Sequence, residues 1–299
     1  MNWINHPKFL KIRDETLDQF QAKEFNFRKV KPVIFLCGGF ENPRRDRLAQ
    51  YLRRNHPETL VFYADNVWPF IANRSELNAL EMEAELADLA DMVLIVVESP
   101  GTFAELGAFS LSEPLRKKLL PIIDRQYRVS ESFINTGPVR WIDQDSKFRP
   151  SIWVDLATIL QGVDELKDRL GLLPKPTAAR IPDLSASPKH LLFFICDLIS
   201  VFGPAPLEHI EYYVQKILGK TPTPNCASLT GLAKSMDLIK VVTDQYGIDM
   251  YYRPLNNDKL SSFQNRRYLD LPSLRARIIS VMLTFPQARA VFQLTGKYS

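Results

Sequence analysis

Residues 98–107 carry the pattern in this chain that most strongly indicates chemistry. They read Glu-Ser-Pro-Gly-Thr-Phe-Ala-Glu-Leu-Gly, after an apolar run and at the predicted start of a helix. Ser99, Gly101 and Thr102 supply hydroxyl and backbone N–H groups that can bind a phosphate or a ribose, assisted by the positive end of the helix dipole. Glu105 is predicted to lie in the first helical turn. There the same dipole favours the ionised form of its carboxylate, which could then act as a nucleophile.

Glu105 also has a purely structural interpretation. Thr102-x-x-Glu105 is the spacing of a capping box, in which the glutamate accepts a hydrogen bond from a backbone N–H and takes no part in catalysis. Spacing alone does not distinguish a nucleophile from a cap.

Glycosidic chemistry would need a second acidic group, because a departing base is stabilised by a proton or by charge. Glu81, Glu83 and Glu85 lie on the preceding predicted helix, residues 75–90. Their two-residue spacing sends them to different sides of that helix, so that only one can face a cleft. Solvent exposure of all three is the alternative.

Two other loops are candidates for contact with a ligand. Gly38-Gly39 follows the first predicted strand and lets a ligand approach the backbone closely, although no GxGxxG fingerprint follows. In Phe133–Arg140, Asn135 can bond a sugar hydroxyl and Arg140 a phosphate, and a plain turn fits the same spacing. Gly38, Gly39 and Asn135 are therefore predicted to bind substrate.

These residues are positioned by an alternation of short apolar strands and amphipathic helices. The predicted strands are 33–37, 60–63, 92–97, 119–123 and 139–142, and the predicted helices are 44–54, 75–90, 102–110 and 153–170. Such alternation predicts an α/β fold with a parallel, doubly wound, flavodoxin-like sheet covered by helices on both faces. Ligands of such sheets bind beyond the carboxyl ends of the strands, where residues 38–39 and 98–105 fall.

The second half of the chain has a different pattern. Four prolines and several small residues in 172–188 predict a linker. The helices predicted beyond it are 189–202, 206–218, 228–236 and 271–291, with a hairpin of 239–242 and 250–253. Three helices and a hairpin indicate a smaller winged-helix domain, whose third helix would enter a DNA groove. The predicted organisation is a helical extension (1–29), the α/β domain (30–171), the linker (172–188) and the winged-helix domain (189–299).

The two halves of the chain also differ in charge. Residues 172–299 contain 15 Lys and Arg against 9 Asp and Glu, whereas residues 1–171 contain 23 against 25. The basic excess predicts contacts with a nucleic-acid backbone through Lys234, Lys240 and Arg253. Further candidates are a basic cluster of Arg266, Arg267, Arg275 and Arg277, and base stacking by Tyr251 or Tyr252. A basic protein-docking module fits the same composition.

Several classes of protein are disfavoured by the composition. With 45% hydrophobic and 24% charged residues, the chain is not globally disordered. No apolar run approaches the roughly 20 residues of a membrane helix, and no secretory signal is visible. Three separated cysteines and four scattered histidines predict a cytoplasmic protein that needs no disulfide, metal or cofactor.

Three collinear segments together carry a resemblance. They are Ile34–Gly39, Glu98–Ser110 and Ser132–Arg140. Over residues 30–165 the chain resembles the nucleoside 2-deoxyribosyltransferase-like domain of bacterial retron effectors. The resemblance implies that Glu105 attacks the anomeric carbon and that Glu83 on the preceding helix assists.

The resemblance also implies a substrate and partners. Ser99 and Gly101 would bind a substrate phosphate. The implied activity is that of a defence toxin that cleaves the N-glycosidic bond of a nucleotide, with NAD(P) or a nucleoside monophosphate as the expected substrate. The implied partners are a retron reverse transcriptase with its msDNA, a multicopy single-stranded DNA–RNA hybrid, and DNA bound by a C-terminal winged helix. A homo-oligomer would fit this fold.

Two other functions stay open at the level of sequence. A nucleotide-sensing, DNA-binding regulator would keep the same pocket and turn nothing over. A phosphoribohydrolase of the cytokinin-activating type also uses a Gly-Thr-x-x-Glu loop, although its usual Pro-Gly-Gly-x-Gly-Thr is replaced here by Ser99–Thr102.

Overall fold

The protein divides into two compact units. The computed structural model describes residues 3–21, 25–27, 30–39, 43–63, 87–175, 178–222, 225–254 and 270–296. Residues 31–175 form one unit, and residues 1–30 together with 176–299 form the other. The N-terminal residues that the sequence suggested as a separate extension therefore lie in the unit that contains the C-terminal half.

Secondary structure alternates along the described residues. The strands are β1 (Phe25–Phe27), β2 (Val33–Cys37), β3 (Leu60–Phe62), β4 (Met92–Val97), β5 (Leu119–Asp124), β6 (Ile152–Val154), β7 (Ala179–Ile181), β8 (Ala205–Pro206), β9 (Lys240–Thr243) and β10 (Asp249–Tyr252). The helices are α1 (Pro7–Leu17), α2 (Pro43–Asn55), α3 (Pro100–Leu111), α4 (Glu113–Arg116), α5 (Arg140–Asp145), α6 (Val163–Leu170), α7 (Pro188–Phe202), α8 (Leu207–Leu218), α9 (Cys226–Ser235), α10 (Leu271–Met282) and α11 (Pro286–Leu294).

A parallel five-stranded sheet forms the centre of the unit 31–175. Its order is β3–β2–β4–β5–β6. Every residue of β2 and β4 is buried, as expected of a parallel sheet whose two faces are both covered. Because β2 lies between β3 and β4, the chain winds outward from it in opposite directions. Ligands bind at this reversal, beyond the carboxyl ends of the strands. The prediction of an α/β fold with a parallel sheet is confirmed.

The two faces of the sheet pack differently. Leu48 and Leu52, one turn apart on α2, are at most 1% exposed and cluster with Leu36 of the sheet. The rings of Phe35 and Phe62 stack at 4.8 Å between neighbouring strands. Successive side chains of a strand point to opposite faces, so Phe35 and Leu36 anchor different layers.

The fifth strand of the sheet is not where the sequence pattern suggested. Residues 139–142, predicted as a strand, belong to a π-helical turn (Asn135–Val139) and to α5, and the fifth strand is β6. Val139 and Ile142 are both buried, because a spacing of three puts them on one helical face. A four-residue segment with apolar residues at its two ends does not distinguish a helix from a strand.

The prediction of one helix over 153–170 is wrong for its N-terminal part. Trp153 and Val154 belong to β6, and α6 covers only Val163–Leu170. Between them, the Asp155 side chain accepts a hydrogen bond from the N–H of Ala157 and begins a 3₁₀ segment. The strand forms because its β-branched and aromatic residues pack well in a sheet.

In the other unit, α7, β8, α8, α9 and the β9–β10 hairpin follow one another. Strands β8, β10 and β9 form an antiparallel sheet in that order. The predicted hairpin is confirmed. The Asp244 side chain accepts hydrogen bonds from the N–H groups of Tyr246 and Ile248, and Gly247 adopts the positive φ of 80° that the turn requires.

The predicted helix 271–291 is interrupted. Helix α10 ends at Met282 and α11 begins at Pro286. Proline lacks the N–H group that would continue a helix, but it is tolerated in the first turn. The apolar spacing continued through the break, which explains why the sequence pattern alone predicted one helix.

The N-terminal segment contributes to the core of this same unit. The Phe20 side chain is buried, and its ring centroid lies 6.1 Å from those of both Phe194 and Phe202 on α7. Strand β1 pairs antiparallel with β7. Residues 179–181 of the predicted linker thus form part of a sheet.

Candidate functional site

The candidate site lies where α3 follows β4 at the carboxyl edge of the sheet. Ser99 is the N-cap of α3, and its side chain accepts a hydrogen bond from the N–H of Thr102. The Thr102 hydroxyl in turn accepts from the N–H groups of Ser99 (2.9 Å) and Glu98 (3.0 Å). This reciprocal pair is a capping box formed by Ser99 and Thr102.

This capping box changes the interpretation of Glu105. Because α3 begins at Pro100, Glu105 lies in the second turn, not in the first turn as predicted. The capping box that the sequence suggested for Thr102 and Glu105 is also wrong. The N-cap is Ser99, and the residue three positions after it is Thr102. Glu105 is therefore not part of this capping box.

The Glu105 carboxylate is half-buried in the second turn of α3. Its Oε2 atom is inaccessible to solvent. At 1.5 Å of rise per residue, its Cα lies about 8 Å along the helix axis from Pro100. Helix α3 packs against β4, β5 and the turn Asn135–Val139.

An ion pair between a buried glutamate and a partly exposed arginine, which the sequence analysis did not identify, lies at the same edge. The side chain of Glu98 is 1% exposed. Its Oε1 accepts a hydrogen bond from the N–H of Gly39 (3.1 Å), and its Oε2 lies 3.0 Å from Nη1 of Arg44. Glu98 thus joins the end of β4 to the loop after β2. A charged residue ending an apolar strand was the signal that could have indicated it.

Gly38 has a packing role at this edge. A Cβ atom at Gly38 would lie 3.0 Å from Cβ and Cδ of Arg45. The Arg45 side chain donates a hydrogen bond to the Gly38 carbonyl (3.3 Å), and its guanidinium lies 4.4 Å from the Tyr63 ring centroid. A side chain at position 38 would displace this packing, independently of any ligand.

Asn135 organises the neighbouring loop. Its Nδ2 donates to the carbonyl oxygens of Tyr127 (2.7 Å) and Ser130 (2.8 Å). Both amide hydrogens are therefore used within the protein, and a sugar hydroxyl would have to donate to Oδ1. Arg140 is exposed at the start of α5.

The predicted second carboxylate cannot be compared with this geometry. Glu83, with Glu81 and Glu85, lies outside the described residues. Within the described residues, no group of three or more His, Cys, Asp or Glu side chains could hold a metal ion.

The predicted nucleic-acid contacts in the other unit divide into two groups. Lys234 near the end of α9 and Lys240 at the start of β9 are exposed. Arg253 instead lies with Nη1 3.8 Å from Oδ1 of Asp197, whose side chain has no exposure. The Arg253 side chain is 16% exposed and its guanidinium faces a buried carboxylate, whereas its contact with nucleic acid stays a prediction.

In the second basic cluster, Arg275 and Arg277 contact other residues of the protein. Arg275 donates a hydrogen bond to the Ser200 carbonyl, and burial, with the nearby charge of Arg253, lowers the pKa of Arg275 to about 10. Arg277 pairs with Glu15 at 2.9 Å. Arg266 and Arg267 lie outside the described residues.

The tyrosines of the hairpin and the three cysteines are interior residues. Tyr251 and Tyr252 are 6% and 9% exposed, so the prediction that one of them stacks on bases is not supported by the fold. The three cysteines (Cys37, Cys196, Cys226) are buried thiols. Across the part of the chain that is described, no helix is both long and apolar enough to cross a membrane.

The chain is similar to retron proteins. A family model described as "STM3845 retron effector protein" matches residues 41–241. The chain is 32% identical over 214 residues to the "Retron Ec73 putative ribosyltransferase/DNA-binding protein" of Escherichia coli. The matched region covers 64% of this chain and 68% of that relative. It is 39% identical over 141 residues to the "Retron Ec86 putative ribosyltransferase/DNA-binding protein" of Escherichia coli, which covers 45% of this chain and 46% of the relative. The second match thus spans less than half of that relative.

Proposed function

Because the chain belongs to the STM3845 retron effector family, we propose that it is the toxic effector of a retron and cleaves the N-glycosidic bond of a nucleotide. The observation that carries the proposal is the placement of Glu105 in the second turn of α3, the helix that follows the carboxyl end of β4. The strand order supports a flavodoxin-like sheet with its ligand at this edge. The names of both relatives include ribosyltransferase, which supports chemistry at a sugar.

The proposed reaction proceeds in two steps through the Glu105 carboxylate. The carboxylate attacks C1′ of the sugar, the C1′–N bond breaks, and its electron pair leaves with the base. For a nucleoside monophosphate, an acid protonates the base as it departs, and Glu83 is the proposed donor, whereas the nicotinamide of NAD(P) leaves as a neutral molecule. Water then attacks C1′ and gives its proton to the Glu83 carboxylate, the sugar is released, and Glu105 is regenerated as a carboxylate. Solvation of the ionised carboxylate is limited, since Oε2 is buried.

Backbone and loop groups at the edge would orient the substrate. The Gly101 N–H is the amide that α3 can still offer, because the amides of Glu98, Ser99 and Thr102 are engaged in the cap. Asn135 Oδ1 would accept from a sugar hydroxyl. The substrate proposed is NAD(P) or a nucleoside monophosphate, bound without a resident cofactor.

Release of free base from a nucleotide panel tests this proposal. The full chain is incubated with NAD, NADP and nucleoside monophosphates, with and without its reverse transcriptase–msDNA complex, and the products are identified by mass spectrometry. Glu105→Gln should abolish base release and keep the fold. Glu113→Gln is the matched control, because Glu113 is exposed on α4 and pairs only locally with Lys117.

The outcomes separate the two main interpretations. Base release that needs Glu105 supports the glycosidase. Wild-type turnover by Glu105→Gln would show that Glu105 is not the nucleophile. Nucleotide binding without base release under either condition would favour a nucleotide-sensing regulator.

We further propose that the unit containing residues 176–299 binds DNA or a DNA–RNA hybrid, and that it associates with the retron reverse transcriptase and msDNA. The element order α7–β8–α8–α9–β9–β10 supports a winged-helix interpretation. Exposed Lys234 and Lys240 near α9 and the hairpin favour contacts with phosphates. The names of both relatives include DNA-binding.

A further inference from the structure

We propose that Arg44, oriented by Glu98, binds the phosphate of a phosphorylated nucleotide, and that the protein thereby selects nucleotides over nucleosides. This inference rests on the proposed function and specifies the substrate class of the same site. Arg44 would be the residue that contacts the phosphate, and Glu98 a positioning residue that acts through it.

The location of the pair is the first argument. Glu98 directly follows β4, and Gly39 lies just beyond the end of β2. These two strands flank the reversal of strand order, where doubly wound sheets bind ligands. Glu98 thus contacts both the N–H of Gly39 and the Arg44 side chain in the first turn of α2.

The burial of the pair is unequal, and this is the second argument. The Glu98 side chain is 1% exposed, whereas that of Arg44 is 36% exposed. A carboxylate is costly to bury unless its oxygens accept hydrogen bonds, and here each oxygen accepts one. The pair therefore joins a buried carboxylate to an arginine whose side chain is about one third exposed.

The chemistry of the guanidinium indicates its ligand. Arginine has five N–H donors in a planar fork that matches phosphate oxygens, and the contact with Glu98 involves Nη1. The hydrogen bond to the Glu98 carboxylate restricts the orientation of the Arg44 guanidinium. Less side-chain entropy is therefore lost when an anion binds to it. Charge-assisted hydrogen bonds of this kind are the stronger ones in proteins.

The alternative phosphate site would be the backbone N–H groups at the start of α3, but few of these are unused. Helix N-termini bind anions through unused N–H groups, but here the amides of Glu98, Ser99 and Thr102 donate within the capping box. Phe103 donates to the Ser99 carbonyl at 3.1 Å, and Pro100 has no N–H. One amide, that of Gly101, is a weak site for a dianion, so a cationic side chain at the same edge is needed.

A binding experiment on the full chain tests the proposal without depending on turnover. Calorimetry would compare AMP, GMP, CMP and UMP with their matched nucleosides, and inorganic phosphate would serve as competitor. Arg44→Ala should weaken monophosphate binding by about tenfold to a hundredfold, the typical value of lost hydrogen bonds to a charged group, and leave nucleoside binding unchanged. Arg44→Lys should restore part of the loss. Glu98→Gln should give an intermediate loss that is likewise confined to the monophosphates.

Arg47→Ala is the matched control, because Arg47 is exposed on the same helix. The proposal is overturned if Arg44→Ala binds monophosphates as wild type does, if it weakens nucleosides equally, or if the wild-type protein does not prefer monophosphates. Phosphate binding that needs Arg44, together with no base release from any nucleotide, would support this inference and contradict the glycosidase proposal. The two can therefore fail separately.

Discussion

The Nζ of Lys216 on α8 lies 3.3 Å from Oδ1 of Asp14, on a helix near the start of the chain. Burial, the largest influence, would raise the pKa of Asp14, but the hydrogen bond and charge of Arg13, together with Lys216, lower it. Arg277 pairs with Glu15 in the same way. Acidic residues of α1 thus pair with two basic residues of the C-terminal half, Lys216 and Arg277.

The first prediction concerns the N-terminal segment. Phe20→Ala should lower the free energy of unfolding of the unit that contains residues 176–299 by about 3–5 kcal/mol, since a buried ring between Phe194 and Phe202 is lost. Urea unfolding followed by circular dichroism would measure this. Tyr246→Ala, at a side chain 64% exposed in the same unit, is the control and should change stability little. Equal effects of the two substitutions would contradict the packing described for Phe20.

The second prediction concerns the cap of α3. Thr102→Val removes a hydroxyl that accepts from two backbone N–H groups, and burying these without partners should cost about 1–3 kcal/mol. Base release should fall as well, because Glu105 is carried by the same helix. Thr102→Ser keeps the hydroxyl and should retain most of both properties. Urea unfolding and the nucleotide assay, run on the same samples, would show whether the two losses occur together.

The third prediction is a pH dependence from His209. Burial, together with the charge of Arg13, lowers the pKa of His209 to about 4, whereas an unfolded histidine has a pKa of about 6.5. Between these values the unfolded state binds a proton that the folded state does not, so stability falls as the pH decreases from about 6.5 towards 4. The slope from this group is at most about 1.4 kcal/mol per pH unit, and less because the ring is partly exposed.

His209→Gln provides the comparison for this prediction. Its stability should decline less steeply than that of the wild type between pH 6.5 and pH 4, because one proton-binding site of the unfolded chain is gone. Denaturant unfolding at several pH values would measure the difference. Parallel curves for the two proteins would mean that His209 does not contribute to the acid response.

The fourth prediction concerns nucleic acid. The double substitution Lys234→Ala with Lys240→Ala should weaken binding of the full chain to DNA or a DNA–RNA hybrid, and should lower the salt slope by about 2, since each lost phosphate contact contributes about 0.9. Base sequence should have little effect. Lys117→Ala, at an exposed lysine of the other unit, is the control. No binding by the wild type at about 50 mM salt, where phosphate contacts are strong, would instead indicate the reverse transcriptase as the surface recognised.

The sequence by itself determined the sheet that supports the site. Strands β2 and β4 were predicted with the bounds that they have, because strands buried on both faces form continuous apolar runs. The position of residues 98–105 after β4 followed from the same pattern. The hairpin was also predictable, since Gly247 is suited to a turn with positive φ.

The tertiary structure decided what depends on residues far apart in the chain. The pattern around residues 139–142 fitted a strand or a helix equally, and the place beside β5 went to β6. Spacing could not show that Glu98 would meet Arg44, that Arg253 would face Asp197, or that the first thirty residues would pack with the C-terminal half. Local spacing reports the period of an element and which face is apolar, whereas the partner of a buried charge is set by the chain path that brings distant residues together.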